Sequence, residues 1–403
     1  MQPTQSLEPT IKQEDTLTRT EIQNNSLKGT RRQWLDTLRG LFIVLMAIDH
    51  ASYFISKVHL GEFWGIPLPQ YKSVLSFLTR FVTHFCAPGF FFIMGISMML
   101  FADARYRAGW STAKVFGHCA LRGAILLVLQ MFLEDPAWMI GDIGHSIQMI
   151  NPPGGGGKVW FHFGVLYALG ASMIVCGLLL RVRTAIALLL SIGAVGITAA
   201  FIPVLEVDTL YSPLLRLLVI PGQTNSMQVF YPLFPWVGLA GAGVAFGKVL
   251  LRDKARAYTL SLVIGTVLVL GFVFLRACGF GSFHSPTDSN WMAFLNVTKY
   301  PPSLTFVMMT MGVVLFLLYS FTKIEASTKR WGRPLAVFGK AALFFYIAHL
   351  YLYALIGLVF PQGASIAVMY TLWITSLLLL LPLCKWYGDF KRKTGPNSVW
   401  RFF

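Results

Sequence analysis

The chain has 403 residues, of which 55% are hydrophobic and only 12% charged, with a mean hydropathy of +0.63. A soluble globular chain carries about 25% charged residues, so this composition excludes one and indicates an integral membrane protein. The formal charge of +16 would suit a nucleic-acid partner if it lay on one surface, but its placement along the chain follows membrane topology instead, and no nucleic acid is expected.

Residues 1 to about 30 are polar, mixed in charge and poor in large apolar side chains, the composition of a disordered tail. No apolar core follows a short basic stretch there, so the tail does not read as a cleavable signal. Residues 31–403 read as one transmembrane domain. Apolar segments recur at about 38–56, 80–102, 116–133, 161–180, 184–203, 231–250, 257–276, 303–321, 338–360 and 364–384, predicting an all-α polytopic protein with about ten membrane helices.

Charge tests that count. With the N-terminus inside, the cytoplasmic segments collect Arg105, Arg107 and Lys114; Arg181 and Arg183; Lys248, Arg252, Lys254 and Arg256; Lys323, Lys329, Arg330 and Arg333; and Lys385, Lys391, Arg392 and Lys393. Most of the 33 Lys and Arg fall there, as cytoplasmic loops require, while acidic residues divide evenly. Both termini are therefore expected in the cytoplasm.

The first span, WLDTLRGLFIVLMAIDH from Trp34 to His50, holds the strongest constellation. Arg39 and His50 are eleven residues apart, about three helical turns, so both project from one face roughly 16 Å apart along the axis. Ionisable groups at membrane depth are costly and default to functional candidates. His50 follows Asp49, and a neutral imidazole can take a proton from a hydroxyl or amine, or itself accept an acyl group. Arg39 either snorkels from the inner helix end or pairs with an anionic ligand entering from the cytoplasm; Arg122 lies at a similar depth.

The remaining histidines fall mostly on the outer side. His59, His84, His145 and His284 occupy outer ends or loops, His162 opens the fourth span and His349 lies mid-to-outer in the ninth, whereas His118 is near the cytoplasm. Together with Glu134, Asp135, Asp142, Glu206, Asp208 and Asp288 they predict an outer cavity or binding surface. His84 stands four residues before Pro88 in THFCAPGFFFIMG, whose Gly95 reads as a packing residue. His349, among tyrosines, is either a core histidine bonded to a neighbouring hydroxyl or a further member, with His50, of the outer cavity. The run from Pro153 to Lys158 lacks the Ser or Thr of a phosphate loop, since Val159 stands there and no strand precedes it. Five scattered cysteines have neither paired nor zinc-like spacing; they read as packing residues, and no metal is expected.

The chain resembles the transmembrane acyltransferases related to heparan-α-glucosaminide N-acetyltransferase, especially their shorter bacterial members. The resemblance runs through LDTLRGLFIVLMAIDH, APGFFFIMGIS, FHFGVLYALG at 161–170, YPLFPWVGLAGAGVAFGK at 231–248, KYPPSLTFVMMTMGV at 299–313 and PLAVFGKAALFFYIAHLYL at 334–352. The opening segment is also similar to the acyltransferase-3 family, with a cation, ten residues and then a histidine, matched by Arg39 and His50. The resemblance implies acetyl-CoA as cytoplasmic acyl donor, a sugar or glycan acceptor on the outer face, a place in the lipid bilayer of a bacterial inner membrane, a homodimer as one permitted state, and a catalytic role for His50. In the heparan-acetylating branch the catalytic histidine lies further on, near where His59 falls, so His59 stands as the second candidate and His84 as a third. Arg39 and Arg122 are placed for the CoA phosphates, His162 and His349 for the acceptor. A transporter is the rival class, but no internal repeat relates two halves of the chain.

Overall fold

In this computed structural model, residues 33–400 are described apart from 142, 144–147, 150–151, 155–158, 208, 225, 286–289, 325–331, 396–397 and 399. The N-terminal tail, Asp142, His145, Lys158, Asp208 and Asp288 therefore lie outside the described residues.

Helical segments stand at all ten predicted places. They begin with α1 (Gln33–Phe54), α2 (Val74–Phe81), which runs through a 3-10 turn into α3 (Cys86–Arg107), and α4 (Thr112–Leu129), continued by a π-helical segment (Gln130–Glu134) into α5 (Asp135–Gly141). There follow α6 (Val165–Leu179), α7 (Thr184–Phe201), the short α8 (Pro213–Leu218), α9 (Leu233–Arg252), α10 (Lys254–Ala277), the short α11 (Trp291–Leu295) and α12 (Leu304–Ile324). The last are α13 (Arg333–Lys340), α14 (Ala342–Gly357) and α15 (Ile366–Lys393). Seven of these stretches are long and apolar enough to cross a membrane, and α13 with α14, bent by 89°, make an eighth if the pair is one span. The other two differ for visible reasons: α6 has only 15 residues, and α1, at 22 residues, carries Asp36, Arg39 and Asp49.

Local chemistry sets several helix starts. Ser111, Asp253 and Ser365 accept bonds from the first-turn amides of α4, α10 and α15, which satisfies donors that helix geometry leaves orphaned. Within the bundle α9 packs on α3, α6 and α7, α10 packs on α12, and α4 packs on α6. Gly95 and Gly243 lie where α3 and α9 cross, and a Cβ on either would collide with the other helix's backbone; small residues permit that approach where lipid supplies no hydrophobic drive. Gly40 and Gly339 do the same between α1 and α13.

Two large apolar cores result, one around Phe91, Trp236 and Phe306 and one around Phe54, Phe345 and Tyr353. α1 contributes Leu38 and Phe42 to the first and Ile43 and Ala47 to the second, so it forms the wall between them. Exposed leucines and valines on α7, α10 and α15 supply faces for lipid. All five cysteines are free, and four are buried.

Short strands brace the connections at the His50 end of α1. β1 (Val58–His59) pairs in parallel with β2 (Gln148–Met149), while β3 (Phe161–Phe163) pairs in parallel with β5 (Met227–Val229), which also pairs antiparallel with β4 (Gly222–Gln223). These pairings hold His59 and His162 over that end of the bundle.

Candidate active site

At the end of α1, His50 is 8% exposed and its Nδ1 lies 2.7 Å from Nε2 of His349. The two ring planes are within 10° of parallel, with centroids 4.9 Å apart, as an in-plane bond between ring nitrogens requires. His349 Nδ1 in turn lies 2.8 Å from the Phe345 carbonyl oxygen. A carbonyl can only accept, and a neutral imidazole carries one donor and one acceptor nitrogen. His349 therefore holds its proton on Nδ1, its Nε2 accepts from His50 Nδ1, and the lone pair of His50 is left on Nε2. Trp138 and Tyr346 pack edge-on against the His50 ring, fixing its plane.

Beside this pair lies a buried ionic cluster. Arg80 donates from Nη1 to Asp49 Oδ1 at 2.6 Å, and from Nε and Nη2 to the two oxygens of Glu62 at 2.9 and 2.7 Å. The forked pairing is the strong geometry for a guanidinium and a carboxylate, and Glu62 is fully buried. Tyr71 donates to Glu62 Oε1 at 3.1 Å, and His84 Nε2 lies 3.3 Å from the same oxygen. Burial would lift the Glu62 carboxyl, but Arg80 and His84 hold it well below the usual carboxylate range. His59 Nδ1 is 4.0 Å from Asp49 Oδ1; burial pushes its imidazole down to about 4, against the pull of Asp49.

The π-helical segment builds the opposite wall. A π turn inserts one residue per turn and re-aims the side chains around it, and here it delivers Gln130 and Glu134, 1% and 2% exposed. Gln130 donates to Asp135 at 2.8 Å and accepts from the Tyr167 amide at 3.2 Å. Gly164 leaves the room these side chains need, since a Cβ there would meet Glu134 Oε1 at 2.7 Å.

These groups enclose a cavity of about 550 Å³, the size of a small-molecule site. Asp49, His50, His59, His162, Glu134 and Lys299 all line it. Five of the residues expected on the outer side, Asp49, His50, His59, His162 and Glu134, thus meet in one space. His84 does not line it; it backs Glu62 and packs against Phe306. His349 stands behind His50 rather than in the cavity. Arg39 and Arg122 lie away from it, toward the other end of α1. Arg39 bonds Asp36 at 3.0 Å, Ser97 Oγ at 2.9 Å and the Gly339 carbonyl at 3.2 Å. Arg122 is half-buried and close enough to Arg39 for the two charges to interact. Among the described residues, Arg122 makes no hydrogen bond or ion pair.

Sequence reasoning passed over Glu62, Arg80, Gln130, Lys299 and Tyr346 as site residues. Arg80, a lone cation at the outer edge of an apolar run, carried the same signal that singled out Arg39. Lys299 opens KYPPSLTF, a segment noticed only as a whole.

The family model of the heparan-alpha-glucosaminide N-acetyltransferase catalytic region matches residues 31–275. The chain belongs to this family. Among curated proteins none matches it. Membership, with the apolar helices, makes it a membrane-embedded transferase of the acetyltransferase kind. The matched region contains α1, the Arg80 cluster and the π-helical segment, and it ends before Lys299, Tyr346 and His349.

Proposed function

We propose that the protein moves an acetyl group from acetyl-CoA, supplied from the cytoplasm, to an amino sugar or glycan acceptor at the outer face of a bacterial inner membrane. The observation that carries this reading is the ordered chain from Phe345 O through His349 to His50, which leaves a basic nitrogen on a ring that lines the cavity. His50 Nε2 takes the proton as the acceptor nitrogen attacks the thioester carbonyl, and returns it to the sulfur as the C–S bond breaks. Direct transfer needs the acceptor held against the thioester. In a covalent variant the same nitrogen attacks first and carries the acetyl group to the acceptor.

His349 is a positioning residue that fixes the His50 tautomer, and Asp49 anchors Arg80 and faces His59. His50, whose tautomer is fixed by His349, is the first choice for the base and His59 the second. His84 serves by holding Glu62. His162, in the cavity wall, is assigned to the acceptor. Arg39 and Arg122, at the end that most Lys and Arg place in the cytoplasm, are assigned to the CoA phosphates, with Arg122 the freer of the two.

The test is release of free CoA from acetyl-CoA by the purified protein, wild type against His50→Ala, over a panel of amino sugars and envelope glycans. Acceptor-stimulated release that vanishes in the variant supports the assignment. Release that survives transfers the role to His59. No release with any acceptor refutes acetyl transfer to this acceptor class, and acetyl-histidine trapped without acceptor selects the covalent route.

A further inference from the structure

Three of the four charged groups beside His50 and His59 are tied to one another: Asp49 and Glu62 both hold Arg80. Lys299 is the fourth. It is only 3% exposed yet lines the cavity, and it is the one lysine or arginine among the described lining residues. Its backbone is clamped: the amides of Lys299 and Tyr300 both donate to the Glu62 carbonyl, at 3.0 and 2.9 Å, and the Trp64 amide donates to the Tyr300 carbonyl at 2.9 Å. Phe63 stacks on Tyr300 with centroids 4.8 Å apart. The Lys299 nitrogen lies 5.1 Å from the Tyr300 ring centroid, and its charge acts on Asp49, His50 and His59 alike. Among the described residues it has no hydrogen-bond or ion-pair partner.

A lysine nitrogen offers three donors and no acceptor, and holding such a group in a largely buried side chain without protein acceptors is costly; this one faces the cavity. A cavity that only needed filling here would take Met or Leu at less cost. The missing acceptor is therefore expected on the ligand, at a point within reach of His50.

We propose that Lys299 is a catalytic residue that donates to the thioester carbonyl oxygen and stabilises the oxyanion formed during transfer. The proposal rests on the acetyl-transfer reading above. As the acceptor nitrogen bonds to the carbonyl carbon, the carbonyl π pair moves onto oxygen, where Lys299 meets it while keeping its own proton. His50 Nε2 holds the proton given up by nitrogen. When the carbonyl re-forms, the C–S bond breaks with its electron pair on sulfur, and that proton passes from His50 to the thiolate. A donor whose backbone is held before the reaction and which meets charge that appears only in the transition state acts on kcat rather than on ground-state binding.

The experiment compares wild type, Lys299→Met and Lys299→Arg as full chains in lipid nanodiscs, using acetyl-CoA and an acceptor that stimulates wild-type CoA release. Lys299→Met is expected to lower kcat by about 10²- to 10³-fold, the usual loss of an oxyanion donor, with acetyl-CoA Kd and acceptor KM changed less than about threefold. Lys299→Arg recovers part of the rate. The infrared carbonyl stretch of bound [1-13C]acetyl-CoA, lowered in wild type, returns to its solution position in Lys299→Met. If Lys299→Met does not fold, Lys299→Arg carries the same test, with an intermediate stretch and rate expected. Wild-type transfer with an undiminished Lys299→Met kcat and an unmoved stretch overturns this assignment alone. A loss confined to acceptor KM also overturns it, making Lys299 a reader of acceptor charge. Absence of transfer by wild type overturns both readings.

Discussion

The two ends of α1 handle charge in opposite ways. At the His50 end, Asp49, Glu62 and Arg80 satisfy one another through three bonds of 2.6 to 2.9 Å, and the imidazoles are locked by ring contacts and by a backbone carbonyl. At the Arg39 end, Arg39 is spent on Asp36, Ser97 and the α13 backbone, while Arg122 carries its charge into the bundle without a bonded partner. The first arrangement is rigid before any ligand arrives, as electrostatic catalysis demands. The second leaves the Arg122 side chain, among the described residues, without a hydrogen bond or ion pair. In the proposed function the first region performs the chemistry and the second receives the anion.

Breaking the rigid end is expected to have the largest effect. Arg80→Met leaves Asp49 and Glu62 buried without their cation, and losing one member of such a cluster costs about 3–5 kcal/mol, read as a lowered melting temperature of the detergent-solubilised protein. An unchanged melting temperature would mean the cluster does not hold the cavity wall. Acid provides a second, smaller break. The His59 imidazole titrates near 4 when folded and near 6.5 when unfolded, so between those values the unfolded chain binds a proton that the folded chain does not. Stability must then fall as pH drops through that window, by about 3 kcal/mol in total. His59→Gln should flatten the slope of melting temperature against pH, whereas an unaltered slope would assign it to other groups.

His349→Phe keeps an aromatic ring at that position but removes the acceptor that fixes the His50 tautomer. A fall of about 100-fold in kcat is expected, since positioned proton transfer contributes about 10²- to 10⁴-fold, with little change in melting temperature. A variant with full activity would show that His50 needs no orienting partner. The smallest effect belongs to the other end of α1. Arg122→Ala is expected to weaken acetyl-CoA binding about fivefold, in keeping with a loss of about 1 kcal/mol, while kcat at saturation is retained. If kcat falls and Kd does not, the two ends are not divided as drawn above.

Much of the scaffold was readable in the sequence. Lipid demands long apolar helices, and ten apolar runs mark ten helical segments even though α6 is short and the ninth is bent at Ala341. Gly95 was readable as packing because close helix crossings need small residues. The site was only partly legible. Asp49, His50, His59 and His162 stood out because ionisable groups are rare at that depth and bunch at one side. That His50 and His349 would touch across 299 positions is a matter of tertiary packing, which no local period encodes. The π-helical segment is one inserted residue in an apolar run and leaves no composition signal, so the placement of Gln130 could not be foreseen, whereas Glu134 was expected on the outer side. Arg39 was read by its spacing to His50, while its i, i+3 partner Asp36 was equally visible and accounts for much of its environment.

The distance along the chain between the halves of the histidine pair sets an order of events during synthesis. Chains emerge N-terminus first, at about 5–20 residues per second, so α1 enters the membrane well before α14 has been made. For that interval His50 has no His349 to hold its proton in place, and the segment bearing Lys299 has yet to reach the Glu62 carbonyl. An unfinished chain can bury its apolar faces, yet its imidazole has no assigned tautomer. In the proposed function, competence then arrives late, with the ninth segment, and the growing polypeptide transfers no acetyl group before that segment is made.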